Sequence, residues 1–281
     1  MGTPWDSATT GYFEEWVPRF VPYHTSLVHE LVLALGQRVL VAHAGSGAEV
    51  LAARRIVGGS GHVRATDTSP AMIARLSARM SAAGFDGVAC EVADAADTRG
   101  APFHAIMCAF APSREAGDAD RVSVLAAWAK ALHPSGKIGI MTWGPSDPDD
   151  PFEMMASALE DVEGMPLRPH RIDAARASMQ TMFGGAGLSM VRHTVVRHTL
   201  NFPSAELFAR GLQNARSWRE LWDRLGEARA ARVASRFFEK AGGPSVPLAC
   251  QPPATIAIAA LPGADVELAH RPSVRVPRVG D

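Results

Sequence analysis

Two acidic residues and a glycine loop have the types and spacing of a nucleoside-binding site. Gly45 and Gly47 follow a short apolar run, and Asp67 lies 22 positions after Gly45. A carboxylate about 20 residues beyond such a loop accepts hydrogen bonds from ribose hydroxyls. Asp94 is a second acid, and beside the backbone amide of Ala95 it has the chemistry to bind the edge of an adenine base. These residues predict a site for an adenosine group.

Each of these residues also has a simpler structural interpretation. Asp67 would cap a helix that begins at Ser69, and Asp94 would be a turn residue in "ADAAD". The loop disfavours two other nucleotide classes. "GSGAEV" has Val50 where a dinucleotide-binding fingerprint needs its third glycine, and the G-K-[ST] of a phosphate-binding loop is absent. A nucleoside without phosphates remains the best candidate.

Alternating elements place these residues at one edge of a sheet. Short apolar strands are predicted at 38–42, 62–67, 87–95, 102–111 and 137–143, with helices at 48–57, 69–84 and 118–136 between them. Such alternation predicts parallel strands joined by right-handed crossovers. Ligands of parallel sheets bind beyond the carboxyl ends of the strands, which is where the loop and both acids fall.

The rest of the chain is predicted to complete this sheet and to cover it. The expected organisation is an N-terminal helical segment over the active site (1–37), a core (38–200) with a Met-rich cap (144–187), a helical insertion on the substrate side (201–252), a last sheet strand (253–261) and a loosely held tail (262–281). An alternating segment at 188–200 predicts an antiparallel strand.

The ordered motifs resemble those of class I S-adenosylmethionine-dependent methyltransferases, and most closely the small-molecule enzymes of the ubiquinone/menaquinone type. "VLVAHAGSG" (39–47) is similar to the family's first cofactor motif, and "VADAAD" (92–97) to its adenine-contacting motif. "WAKALHPSGKIGIMTW" (128–143) and "FGGAGLSMV" (183–191) are similar to the segments before its fifth and sixth strands. The resemblance implies a doubly wound, seven-stranded, mostly parallel Rossmann-like sheet with a helical cap.

The resemblance also implies a cofactor and a set of site residues. The cofactor would be S-adenosylmethionine, the product S-adenosylhomocysteine, and the acceptor a small, apolar or aromatic metabolite of a biosynthetic or tailoring step in secondary metabolism. Cofactor contacts are expected at His43, Ala44, Gly45, Gly47, Asp67, Thr68, Met72, Asp94, Ala95 and Cys108. Acceptor contacts are expected at Tyr23, His24, Phe110, Trp143, Phe183 and Trp218. His170 is the first candidate for a general base and His43 the second.

Three positions depart from the family pattern. Val41 stands where the family has an acid that contacts the amino end of the cofactor, His43 replaces the first glycine, and His104 replaces a usual aspartate. Three interpretations stay open. The chain binds the cofactor weakly but normally, or His43 has been recruited for catalysis or substrate binding. Otherwise the fold no longer methylates and serves as a cyclase-type catalyst or a binding-only subunit.

Composition limits the compartment and the partners. The 281 residues carry a formal net charge of −1, and no basic helix stands out, so we expect no nucleic-acid partner. No apolar run reaches the roughly 20 residues that span a bilayer. The three cysteines are widely separated and lack metal-ligand spacing, which favours a reducing, cytoplasmic location and no metal. A small-molecule substrate and a possible homodimer complete the expectations.

Overall fold

A computed structural model describes residues 12–85, 87–110, 118–164, 173–213 and 215–268. The strands are β1 (Arg38–Ala42), β2 (His62–Asp67), β3 (Val88–Val92), β4 (Phe103–Ala109), β5 (Leu132–Trp143), β6 (Ser189–Arg197), β7 (Leu200–Phe202), β8 (Leu248–Cys250) and β9 (Pro253–Ala260). A π-helical turn, Tyr12–Trp16, precedes the first α-helix. The helices are α1 (Val17–Glu30), α2 (Ala48–Val57), α3 (Pro70–Ala82), α4 (Asp118–Lys130), α5 (Pro151–Glu163), α6 (Arg176–Gly185), α7 (Ala205–Leu212), α8 (Arg216–Leu225) and α9 (Glu227–Ala241).

Seven strands form the main sheet, in the order β3-β2-β1-β4-β5-β9-β6. The first five in this order pair in parallel, whereas β9 is antiparallel to both of its neighbours, β5 and β6. The predicted seven-stranded, mostly parallel α/β fold is confirmed. Because β1, β2, β4 and β5 run in the same direction, their carboxyl ends meet at one edge of the sheet.

The sheet is buried on both faces, and successive residues of β1 point to opposite cores. Val39 and Val41 belong to a first core with α1, α2 and α3, and Leu40 and Ala42 to a second core with α4 and α6. This two-sided burial explains why β1 and β4 are nearly continuous apolar runs. We call the two sides the first face and the second face.

Local chemistry fixes the start of α3 beside the glycine loop. Ser69 is its N-cap, and the Ser69 hydroxyl accepts a hydrogen bond from the amide of Met72 at 3.2 Å. Pro70 follows at the first helical position, where its missing N–H costs nothing. The apolar residues Ile73, Leu76 and Met80 then pack into the first core. The predicted helix at 69–84 therefore has its expected cap and buried face.

Three predicted boundaries differ from the structure. The helix expected at 118–136 ends at Lys130, and β5 begins at Leu132. Phe103 pairs with Leu132 but Ala105 pairs with Lys137, so the His-Pro-Ser-Gly residues form an irregularity inside the strand rather than a helix end. The third strand ends at Val92, before the acidic turn.

The sequence predicted a helical insertion at 201–252, but this segment is only partly helical. It contains α7, α8 and α9, but β7 and β8 also pair antiparallel in a separate two-stranded sheet, with Leu200 opposite Cys250 and Phe202 opposite Leu248. Each strand has only three residues, too few for a period-two pattern to stand out. Among the helices that the structure describes, none is long and apolar enough to cross a membrane.

Candidate functional site

The loop after β1 turns sharply at the carboxyl edge of the sheet. His43, Gly45 and Gly47 all have positive φ values, of 50°, 47° and 74°. The amide of Ala44 donates to the carbonyl of Thr66 at 2.9 Å, and the amide of Gly47 donates to the carbonyl of Ala44 at 2.7 Å. Glycine adopts this left-handed conformation freely, whereas histidine is strained in it. Positive φ angles and backbone hydrogen bonds therefore define the conformation of the loop that leads from β1 into α2.

Asp67, the last residue of β2, is bonded to this loop. Its Oδ2 accepts from the amide of Gly45 and its Oδ1 from the amide of Ser69, both at 2.9 Å. The side chain is buried, yet each carboxylate oxygen can accept more than one hydrogen bond. Asp67 thus has the structural role considered from the sequence, at the start of α3, and keeps acceptor capacity for hydroxyl donors.

The two loop glycines differ in their surroundings. A Cβ built on Gly47 would lie 2.1 Å from Cδ1 of Leu76, so a larger residue there would force the buried Leu76 side chain of α3 to move. A Cβ on Gly45 would meet only the carbonyl of His43, at 3.9 Å. Space above Gly45 is therefore open to a close-approaching ligand. Arg79 secures the loop from the other side by donating to the carbonyl of Ser46 at 2.8 Å.

Asp94 lies in the turn that follows β3 and is exposed. Its Oδ1 accepts from the amide of Ala96 at 2.8 Å, which is the turn role that the sequence allowed. Ala95 is buried, and its carbonyl accepts a hydrogen bond from the indole nitrogen of Trp128 at 2.7 Å. This bond ties the turn to α4 on the second face. The bond between Trp128 and Ala95 thus holds the turn in place, and Asp94 itself is exposed to solvent.

Aromatic rings fill the other half of the carboxyl edge. Phe110 directly follows β4 and Trp143 is the last residue of β5, and their rings stack with centroids 4.3 Å apart and planes inclined by 22°. Phe20 of α1 lies 5.4 Å from Trp143 and 6.0 Å from Phe110. All three rings are only partly buried. We call Phe20, Phe110 and Trp143 the aromatic cluster.

Tyr23 is fully buried behind the aromatic cluster, with its ring centroid 5.2 Å from that of Trp143. Its hydroxyl lies 2.7 Å from the carbonyl oxygen of Pro252 and 2.9 Å from that of His198, and it accepts from the amide of His198 at 3.1 Å. Burial raises the pKa of the Tyr23 phenol. Tyr23 therefore supports the cluster and has no free polar atom to offer an acceptor.

His24 and Glu49 form a buried pair between α1 and the first turn of α2. Nδ1 of His24 lies 2.7 Å from Oε1 of Glu49, and the imidazole meets the ring of Phe110 edge-on at 5.6 Å. Oε2 of Glu49 is buried and accepts no hydrogen bond from any residue that the structure describes. The sequence did not single out Glu49, because an acid in a first helical turn is ordinary. Its pairing with His24 becomes visible only in the folded chain, where α1 and α2 meet.

Four other predicted site residues are covered by protein or lie outside the described residues. Phe183 and Cys108, expected at the acceptor and cofactor sites, are fully buried in the core of the second face, because their side chains pack against α4 and its neighbours. Both assignments stay predictions. Trp218 is buried in the first core beside Trp222. His170 lies outside the described residues.

The remaining predicted cofactor residues surround the loop with different exposure. Ala44 and Met72 are buried, at 3% and 2%, whereas Thr68 is exposed and His43 is partly buried. A ligand at this edge would reach Thr68 and His43 directly. It would contact Met72 only if the residues that cover the Met72 side chain moved. Cys90, Cys108 and Cys250, which all lie in described segments, form no disulfide. No group of three or more metal-ligating side chains occurs among the described residues.

Comparisons with known proteins agree with this arrangement. Residues 39–136 match a family model described as "Methyltransferase domain". The fold is similar to a cyclopropane-fatty-acyl-phospholipid synthase-like protein from Lactobacillus casei, with a TM-score of 0.60, 12% identity, and coverage of 86% of this chain and 91% of that one. It is also similar to a SAM dependent methyltransferase from Aquifex aeolicus, with a TM-score of 0.50, 16% identity, and coverage of 66% and 91%.

A third structure with this fold is the [4+2]-cyclase SpnF, with a TM-score of 0.54, 15% identity, and coverage of 88% of this chain and 83% of that one. Identities this low establish a common fold, and no curated protein matches the chain in sequence. The domain match, the strand order and the loop–Asp67 geometry nevertheless agree. Residues 39–136 of this chain therefore match a methyltransferase domain in sequence and have the corresponding strand order.

Proposed function

We propose that the chain transfers a methyl group from S-adenosylmethionine to a small apolar or aromatic acceptor and releases S-adenosylhomocysteine. One observation carries this proposal. A buried carboxylate, Asp67, is fixed beside an open glycine loop, and the aromatic cluster lies along the same edge of the sheet. The first feature suits an adenosine group and the second suits an apolar partner.

The residues of the loop fit the cofactor. Asp67 would accept hydrogen bonds from the ribose hydroxyls, and the open backbone at Gly45 allows a close approach. Asp94 would accept from the adenine amino group beside the backbone of Ala95. Because amides already hold Asp67 in one orientation, little conformational freedom would be lost when a ligand binds.

Bound S-adenosylmethionine supplies an activated methyl group, so the protein chiefly has to position the acceptor and exclude water. Phe110 and Trp143 present stacked, half-buried faces for this purpose. His43 lies partly buried at the same edge, and we keep it with His170 as a candidate base for acceptors that must lose a proton.

An alternative function uses the same site without methyl transfer, in a cyclase-type catalyst or a binding-only subunit. Val41 motivates it, because this residue is fully buried and apolar where the resemblance implies a cofactor-contacting acid. Tight binding of S-adenosylmethionine that never yields S-adenosylhomocysteine in the presence of candidate acceptors would favour this alternative.

Three coarser expectations accompany the proposal. Cysteines without disulfides fit a reducing compartment, and we propose a cytoplasmic location. We also propose a biosynthetic or tailoring role in secondary metabolism. A homodimer remains a prediction, which sedimentation of the purified chain would test.

Calorimetry with S-adenosylmethionine and S-adenosylhomocysteine tests the cofactor site. Asp67→Ala should weaken binding of both by roughly 2–4 kcal/mol, since hydrogen bonds to a charged group contribute about 1.5–3 kcal/mol each and are not additive. Asp147→Ala, which removes an exposed carboxylate elsewhere, should bind like the wild type. Unchanged affinity in Asp67→Ala would remove the ribose assignment.

A further inference from the structure

We propose that Arg64 is a positioning residue for adenine recognition, because it holds together the two acids that lie on either side of Asp94. Residues 93–97, which follow β3 and include Asp94, are called the acidic turn from here on. This inference rests on the proposed function, in which Asp94 accepts a hydrogen bond from the adenine amino group. It adds a residue that acts on the cofactor only through Asp94.

Arg64 is a buried cation in the middle of β2. It pairs with Leu40 of β1, whose side chain packs in the second core, so the Arg64 side chain lies on the second face of the sheet. The residue is 8% exposed. A buried guanidinium needs hydrogen-bond acceptors to offset the loss of water. Arg64 finds these acceptors in β3 and in the acidic turn.

The guanidinium of Arg64 contacts one residue before Asp94 and one residue after it. Its Nη2 lies 2.9 Å from Oε2 of Glu91, in β3, and 3.2 Å from Oδ1 of Asp97, in the acidic turn. Its Nε donates to Oε2 of Glu91 at 3.3 Å, and its Nη1 donates to the carbonyl of Asp97 at 2.6 Å. A guanidinium is planar and rigid, so these four contacts fix the distance between Glu91 and Asp97.

The charges of the two acids would oppose this arrangement if Arg64 were absent. Glu91 and Asp97 contact the same nitrogen, and two carboxylates this close repel each other. Arg99 also contacts both acids, at 3.3 Å and 2.7 Å, but its side chain is 73% exposed, so solvent and salt screen its attraction. Loss of Arg64 would therefore release the end of the acidic turn from the sheet.

Backbone hydrogen bonds connect this network to the proposed cofactor contacts. The amide of Asp97 donates to the carbonyl of Asp94 at 3.0 Å, so the position of Asp94 depends on that of Asp97. The amide of Ala93 donates to the carbonyl of Asp67 at 3.0 Å, which places the start of the acidic turn beside the proposed ribose contact. Asp67 itself is held separately, by the glycine loop. Arg64 should therefore affect adenine recognition more than ribose recognition.

The test is calorimetry with S-adenosylhomocysteine and S-inosylhomocysteine, whose base has a carbonyl oxygen in place of the amino group. That oxygen would face the Asp94 carboxylate, so the wild type should bind the adenosyl ligand at least about 10-fold more tightly. In Arg64→Met, an apolar side chain of similar length replaces the cation. The variant should bind the adenosyl ligand more weakly, and its preference should fall below about threefold.

Arg192→Met is the matched control. Arg192 is also a strand arginine in a largely buried ion pair, 2.8 Å from Glu30, but it belongs to β6, and β6 and β3 are the two outermost strands of the main sheet. The control variant should lose stability and keep the wild-type preference for adenine. Equal loss of the preference in both variants would overturn the role of Arg64, since general destabilisation would then explain it.

The remaining outcomes separate this inference from the proposed function. An unchanged preference in Arg64→Met would overturn the inference alone. A wild type that binds both ligands equally would overturn the inference and the adenine contact of Asp94, but not methyl transfer. Failure of the wild type to bind S-adenosylhomocysteine would overturn the proposed function as well.

Arg64→Lys keeps the test decisive if Arg64→Met does not fold. Lysine retains the positive charge but lacks the planar fork that contacts Glu91 and Asp97 together. The preference for S-adenosylhomocysteine should therefore fall by at least about threefold in this variant. A preference equal to that of the wild type would overturn the inference.

Discussion

The two halves of the carboxyl edge are built in different ways. The cofactor half, after β1 and β2, consists of backbone: three residues with positive φ, an amide held by Asp67 and a helix start. The half after β4 and β5 consists of side chains, the rings of Phe20, Phe110 and Trp143. A backbone site tolerates few substitutions, whereas rings are exchangeable. Under the proposed function, cofactor recognition would depend on the fold and acceptor recognition on replaceable side chains.

The largest loss of stability should come from adding one methyl group to the glycine loop of the cofactor half. In Gly47→Ala, the new Cβ would lie 2.1 Å from Leu76, and alanine would be forced to φ +74°. Overpacking costs about 1–3 kcal/mol and the left-handed conformation about 1–2 kcal/mol, so unfolding free energy should fall by roughly 3 kcal/mol or more. Urea denaturation followed by circular dichroism measures this loss. Cofactor affinity should fall as well, by calorimetry.

Gly45→Ala is the matched control for this prediction. Gly45 also has a positive φ, but its Cβ would make only an ordinary contact, 3.9 Å from the carbonyl oxygen of His43. The variant should therefore lose only the conformational part, about 1–2 kcal/mol. Equal losses in Gly45→Ala and Gly47→Ala would show that Leu76 adapts and that the loop is less rigid than the comparison requires.

Removal of a ring from the aromatic cluster should cost less stability and should leave cofactor affinity nearly unchanged. Trp143→Ala deletes the stacking partner of Phe110 and the contact with Tyr23, and because the ring is half-buried it should cost about 2–3 kcal/mol of stability. Binding of S-adenosylhomocysteine should stay within about threefold of the wild type, a change below 1 kcal/mol. A large loss of cofactor affinity in this variant would break the distinction between the two halves.

The same difference explains what could be predicted from the sequence. Gly45, Gly47 and Asp67 are related by a fixed spacing along the chain, so the fold and the placement of the loop and the acid at one edge of the sheet could be predicted. Phe20, Phe110 and Trp143 come from three distant segments. Their apolar character alone did not distinguish them from Phe183, which packs on the opposite face. The Glu49–His24 pair was missed for this reason too, since α1 and α2 meet only in the folded chain.

His43 offers a finer test of the backbone half. Its φ of 50° is strained for histidine and natural for glycine. We expect His43→Gly to bind S-adenosylhomocysteine equally or up to about 10-fold more tightly, since removal of the ring opens space for the ligand. Relief of the strain should instead stabilise free and bound protein alike. Calorimetry measures this change. Lost methyl transfer with intact binding would instead make His43 a catalytic residue.

The smallest effect is expected at the opposite, amino edge of the sheet. Nδ1 of His104 accepts from the amide of Arg38 at 3.2 Å, and burial lowers the pKa of His104, as do the nearby charges of His133 and Arg38. The folded pKa lies below the usual 6.5, so the unfolded chain binds more protons in this range. The contribution of His104 to the free energy of unfolding should be fully present above about pH 6.5 and should decline as the pH falls towards the folded pKa.

His104→Asn checks this pH dependence. Its amide oxygen can accept from Arg38 without titrating, so the decline in urea stability below about pH 6.5 should become shallower. His62→Asn, at an exposed histidine, serves as the control. An unchanged slope in His104→Asn would assign the decline to other groups, such as His198, whose pKa is also lowered by burial.

The position of β9 has a consequence for synthesis on the ribosome. All eight of its residues are buried, and it lies between β5 and β6, which do not pair with each other. Both strands are translated before β9, and the three helices α7, α8 and α9 are made in the interval. The nascent chain must therefore keep two unpaired strand edges apart while it elongates. The main sheet is therefore completed only late in synthesis.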